Sequence, residues 1–149
     1  MSDDAVPKRP PGPSVLVSNR QDLPVDAPAL RALAEAVLRG EGRTEDELSL
    51  SFVTEREMAE LHQRFMGEPG ATDVLSFPMG EGGEAEDGLL GDVVVCPAVA
   101  VANGPDLDRE LRLLVAHGVL HLLGFDHEEE AERAEMWARQ ERYSGVRIP

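Results

Sequence analysis

Hydrophobic positions recur along the chain in blocks whose period switches between two and about 3.6, so strands and helices are expected to alternate. Val15, Leu16 and Val17 lie in an apolar run from Ser14 to Arg20 that reads as a short strand. A helix follows: Asp26 can cap it, Pro28 falls in its first turn, and Leu30, Leu33, Ala34, Val37 and Leu38 form one stripe that ends at Gly40. From Glu47 to Val53, Leu48, Leu50 and Phe52 alternate with Ser49 and Ser51, the pattern of a half-buried strand. Thr54 and Glu57 make a capping box for a second helix, with Met58, Leu61 and Phe65 on its inner side. After the turn MGEPGA at 66–71, Thr72 to Pro78 is a third strand and Leu90 to Val95 a fourth, separated by an acidic, glycine-rich loop at 80–88 that is expected to be solvated. A long helix is predicted over Asp106 to Leu123. A last one spans Glu128 to Tyr143, and its opening glutamates suit the positive end of the helix dipole.

These elements make a single α+β domain over 15–149, with a small mixed β-sheet of about four strands packed with helices. Residues 1–14 are proline-rich and are expected to form a disordered arm. At 149 residues and 42% apolar composition the chain can build an ordinary core. A disulfide scaffold is excluded by the single cysteine, Cys96, which reads as a small buried apolar residue. A lone thiol, no secretory pattern at the N-terminus and no long apolar run lead us to expect a cytoplasmic protein that does not engage a membrane. The formal net charge of -15 argues against a broad electrostatic grip on nucleic acid, so any nucleic-acid chemistry must be local.

The chemistry is concentrated in VAHGVLHLLGFDH, residues 115–127, which holds three of the four histidines. His117 and His121 lie one helical turn apart on one face, so their imidazoles can converge. Gly124 suits a left-handed helix end and would turn the chain back to bring in His127. Three imidazoles without a fourth protein ligand are the donor set of a catalytic zinc site at a helix end, with a position open to water. Nickel or another borderline divalent ion would accept the same donors. An ion held so lowers the pKa of its water from 15.7 toward about 7 and polarises a phosphoryl oxygen. Mid-helix Gly118 implies that a substrate or a closely packed strand needs the space of the missing side chain.

The spacing reproduces the zinc frame of metzincin peptidases, HExxHxxGxxH. At the position of their general-base glutamate this chain has Gly118, so the frame is shared while the proton acceptor is missing.

HGVLHLLGFDH resembles the signature HGxLHLxGyDH of the YbeY family, with Phe125 in place of the usual tyrosine. TDVLSFP at 72–78 is close to that family's PTDVLSFP, with Ala71 where proline is usual; Gly91 and Asp92 in LLGDVVV resemble a third block, and Met136 and Glu141 a fourth. The resemblance, from Leu61 to Glu141, implies an α+β fold with zinc on His117, His121 and His127. It implies single-strand-specific RNA cleavage in 16S rRNA 3′-end maturation and ribosome quality control. The implied partners are rRNA and possible contacts on the ribosome or its small-subunit proteins. The chain departs from the family at Phe65-Met66, where many members carry Tyr-Arg with an arginine that contributes to cleavage. Arg64 is the nearest arginine and, with His117, is the candidate catalytic residue; His62 stands where asparagine is usual and reads as a polar residue at the helix edge. Two other classes fit the histidines: a metallohydrolase with a metzincin-like frame acting on a non-RNA substrate, and a ribosome-associated binding module whose zinc is structural. Asp126 either orients a ligand imidazole or caps the last helix, and Ser76 is either a sheet hydrogen bond or a substrate contact.

Overall fold

The computed structural model describes residues 12–126 and 128–147. Most of the proline-rich arm, residues 1–11, lies outside this range, and so do His127 and residues 148–149. Along the chain run β1 (Ser14–Asn19), α1 (Ala27–Gly40), β2 (Glu47–Phe52), α2 (Glu55–Met66), β3 (Val74–Pro78) and β4 (Leu89–Val95). They are followed by α3 (Pro97–Ala100), a 3-10 turn at Val101–Asn103, α4 (Leu107–Leu122) and α5 (Glu130–Ser144). The four strands form one mixed sheet in the order β1-β2-β4-β3. β2 pairs parallel with β1 and with β4, while β3 runs antiparallel along the outer side of β4.

Strand alternation divides the sheet into two unlike faces. Val15, Leu48, Leu50, Phe52, Val93 and Val95 turn to one side, where they pack against the α1 stripe and the inner side of α4 in the main core. Each side chain fully buried there is worth about 1.5–3 kcal/mol of transfer free energy. On the other face α2 covers the β3–β4 half with a smaller cluster of Val53, Met58, Leu75, Val94 and Cys96. Leu16, on the uncovered half, is 55% exposed.

The helix starts follow the capping signals. Asp26, Thr54 and Asp106 each accept a hydrogen bond from a backbone N–H three residues on, at 3.2, 3.1 and 3.2 Å. Gly40 is the last residue of α1 rather than its stop, and its missing side chain makes room for the Tyr143 ring, whose hydroxyl donates to Glu41 at 2.5 Å. Phe65 was expected on the inner side of α2 but is 57% exposed and meets Phe77 edge-on, centroids 5.2 Å apart. The 80–88 connection is not simply solvated: Gly83 is buried, and the Gly83 carbonyl accepts from Arg43 at 2.6 Å. Among the described residues no helix is long and apolar enough to cross a membrane.

Candidate functional site

α4 carries His117 and His121 on one face near its C-terminal end, with ring centroids 4.8 Å apart and planes at 73°. Both rings line a cavity of about 220 Å³ whose other walls are Met66 at the end of α2 and Val74, Leu75 and Ser76 of β3. Two elements from outside the histidine motif thus close the site.

Gly118 explains how close the helix comes to the sheet. A Cβ there would sit 2.5 Å from Val93 Cγ1 and 3.3 Å from Val74 Cγ2, so the missing side chain accommodates packed strands. Ser76 Oγ donates to the Gly118 carbonyl at 2.9 Å and fastens β3 to α4, a bond from sheet to helix, while Ser76 also lines the histidine cavity. The position occupied by glutamate in metzincins is therefore sterically closed in this fold.

The end of α4 is a Schellman turn: Gly124 N–H donates to the His121 carbonyl at 3.0 Å, and Phe125 N–H to the Leu120 carbonyl at 3.1 Å. Gly124 takes φ +94°, the left-handed conformation expected of it from the sequence. The 80–88 connection abuts this turn with bare backbone, since a Cβ on Gly83 would lie 2.1 Å from the Leu123 carbonyl oxygen.

Gln140 is a site residue that no sequence motif marks. This α5 residue is 6% exposed, and its Oε1 lies 2.6 Å from Nδ1 of His117. An amide oxygen can only accept, so the pairing places a proton on Nδ1 and the imidazole lone pair on Nε2. A partner of this kind is what fixes the tautomer of a metal-ligating histidine. No motif signals the contact, because it spans 23 residues and two helices.

Of the four predicted site residues, the structure brings His117 and His121 together, and His127 lies outside the described residues. Among the described residues no three His, Cys, Asp or Glu side chains form a metal-binding group. The donors present nonetheless fit a divalent ion: two imidazoles side by side on one helix face, one with its tautomer held. Arg64 is exposed and lines a separate groove on the outer side of α2 with Glu57 and Glu60. Met66, two residues on, is the α2 residue that reaches the histidines. His62 binds the 67–70 turn instead: its Nδ1 is 2.8 Å from the Gly70 carbonyl oxygen and its Nε2 3.3 Å from Glu68. Asp126 does not cap α5, whose N-cap is Glu129. Cys96 is fully buried, and burial pushes its thiol pKa up, as suits a packing residue rather than a nucleophile.

Residues 16–145 match the family model described as Endoribonuclease YbeY. A relative named Endoribonuclease YbeY from Thermobifida fusca is 45% identical over 138 residues, covering 85% of this chain and 89% of its own. One of the same name from Acidothermus cellulolyticus is 46% identical over 142 residues, covering 85% and 87%. The solution structure of a Thermotoga maritima protein is 29% identical with a TM-score of 0.65, covering 87% of this chain and 86% of that one.

Proposed function

The chain belongs to the endoribonuclease YbeY family, and from that premise we propose that it is a zinc-dependent, single-strand-specific endoribonuclease of 16S rRNA 3′-end maturation and ribosome quality control. It would work in the cytoplasm, on rRNA in contact with the ribosome or its small-subunit proteins. The observation that carries the metal reading is the His117–His121 pair at the wall of an accessible cavity, with Gln140 on Nδ1 of His117.

His117, His121 and His127 would hold one zinc ion, which when bound supplies Lewis acidity and an activated water at neutral pH. The remaining work falls to the chain. Gln140 keeps a proton on Nδ1 of His117 and so presents Nε2 to the cavity. Met66, Val74 and Leu75 give the cavity apolar walls, which strengthen electrostatic interactions inside it. Packing at Gly118 leaves no room for a carboxylate beside the first ligand, which removes the peptidase mechanism that the histidine spacing alone would allow. Arg64, an exposed residue in the last turn of α2 that lines a separate groove, would meet the scissile phosphate only by a change of side-chain conformation. With a net charge of -15 on the protein, a phosphate would be held at this one place rather than along a basic surface.

Elemental analysis of purified protein, followed by cleavage assays on single-stranded and duplex RNA before and after chelation, tests the reading. One zinc per chain, loss of single-strand cleavage on chelation and its recovery with zinc are expected. Undiminished cleavage by metal-free protein would overturn the metal assignment, and no cleavage of any RNA by the zinc-loaded protein would overturn the substrate assignment.

A further inference from the structure

A second cavity of about 280 Å³ adjoins the first and shares His117 and Val74 with it. Its character is different. Leu113 and Leu114 of α4 and the indole of Trp137 on α5 supply apolar walls, and its polar groups besides His117 are the Gln140 amide and the carboxylate of Asp73, just before β3. Trp137 packs only partly into the core and keeps some surface in the cavity. Asp73 is fixed at both ends: its carbonyl accepts from Cys96 N–H at 2.8 Å, and its Oδ2 accepts from Asn103 Nδ2 at 3.0 Å. A carboxylate offers about four acceptor positions, so this bond leaves capacity for further donors.

On the RNA-cleaving reading given above, we infer that this cavity is a nucleobase subsite, in which the base next to the scissile phosphate stacks on Trp137 and offers its Watson–Crick N–H groups to Asp73. Three observations select a base. The cavity shares His117 and Val74 with the histidine site, so a strand bound at one lies beside the other. An indole with the aliphatic side chains of Leu113 and Leu114 beside it suits a flat heterocycle. No lysine or arginine lines the cavity and Asp73 repels phosphate, so the backbone must pass outside.

The carboxylate also sets a preference. Being acceptor-only, it favours guanine, whose N1–H and N2–H₂ donors lie side by side, over adenine and cytosine with a single exocyclic amine. Uracil is disfavoured because its one N–H is flanked by two carbonyl oxygens that face the carboxylate. The chain would thus read sequence at one position while gripping the rest of the strand weakly.

Trp137 is the only tryptophan, so its fluorescence reports occupancy directly. Full-length, zinc-loaded protein is titrated with 2′-O-methyl hexauridylate and with hexamers carrying one guanosine at each position in turn. Affinity is followed in parallel by anisotropy of a dye on the oligonucleotide. Saturable quenching is expected, with about tenfold tighter binding for the best-placed guanosine. Asp73→Asn should erase most of that advantage, in part by tightening hexauridylate binding, because the carboxylate that repels the uracil carbonyls is gone. Trp137→Leu should weaken every hexamer by about 5- to 150-fold while circular dichroism stays native. Binding by anisotropy without quenching, or a guanosine preference that survives Asp73→Asn, refutes the subsite and leaves RNA cleavage standing. If anisotropy detects no binding and RNA is not cut, the subsite and the RNA reading fall together.

Discussion

Replacing Gln140 with leucine removes the one described group that accepts from His117 Nδ1, at a site where Gln140 itself is 6% exposed. Two costs follow. The Nδ1–H loses its partner in a half-buried place, a penalty of about 1–3 kcal/mol on the fold. The ring also loses its tautomer bias, and outer partners of ligating histidines are typically worth about 10- to 100-fold in metal affinity. Zinc at about 100 times its dissociation constant stabilises wild-type protein by about 2.7 kcal/mol, and a tenfold weaker site at the same free zinc by about 1.4 kcal/mol. For a chain of this size about 2–4 °C accompanies each kcal/mol, so the zinc-dependent rise in Tm should shrink by about 3–5 °C. Melts with buffered zinc, together with competition against a chelating dye, read both effects. Gln140→Glu retains an oxygen acceptor and should recover most of the zinc shift. A leucine variant that binds zinc as tightly as wild type would refute the claim that α5 orients the ligand.

Gly118→Ala should destabilise the fold by about 1–3 kcal/mol in urea unfolding, because the new methyl meets Val93 at 2.5 Å; a variant as stable as wild type would mean the strands yield freely. Burial, reinforced by the hydrogen bond to Glu41, raises the pKa of Tyr143 above 10.0 in the folded protein. The unfolded chain therefore loses that proton first, and the stabilisation, fully present below pH 10, is lost as pH rises through the folded value. Tyr143→Phe should lower stability at pH 7 and flatten the alkaline decline; an unchanged alkaline slope would exclude this group. Arg64→Ala should leave Tm unchanged, since the side chain is exposed, and slow RNA cleavage, with an unaltered rate removing Arg64 from the reaction. RNA affinity should fall only shallowly with salt, in keeping with few phosphate contacts, and a steep slope would reveal a basic track that the charge of -15 gives no reason to expect.

Local chemistry was the most legible part of the chain. Asp26, Thr54 and Asp106 cap where their side chains can reach the next turn's N–H groups, and β2 alternates because one face meets the core. His117 and His121 were readable because helical periodicity alone brings them together. Quantities that depend on distant packing were hidden. The period of α2 puts Phe65 on the inward side but does not show how deeply that side is covered, and Phe65 is 57% exposed with the Phe77 edge against it. Gly40 looked like a helix stop, yet the reason for glycine is a tyrosine 103 positions later. The four-residue α3 has too few turns to show a period, and Gln140 acts across a contact between helices that no spacing encodes.

The bare peptide contact of Gly82–Gly83 with Leu123–Gly124 has a practical corollary. With no side chain between them to absorb an adjustment, a residue inserted on that shoulder of the hairpin displaces the segment leaving His121 almost rigidly. Epitope tags, dyes and fusion partners therefore belong elsewhere.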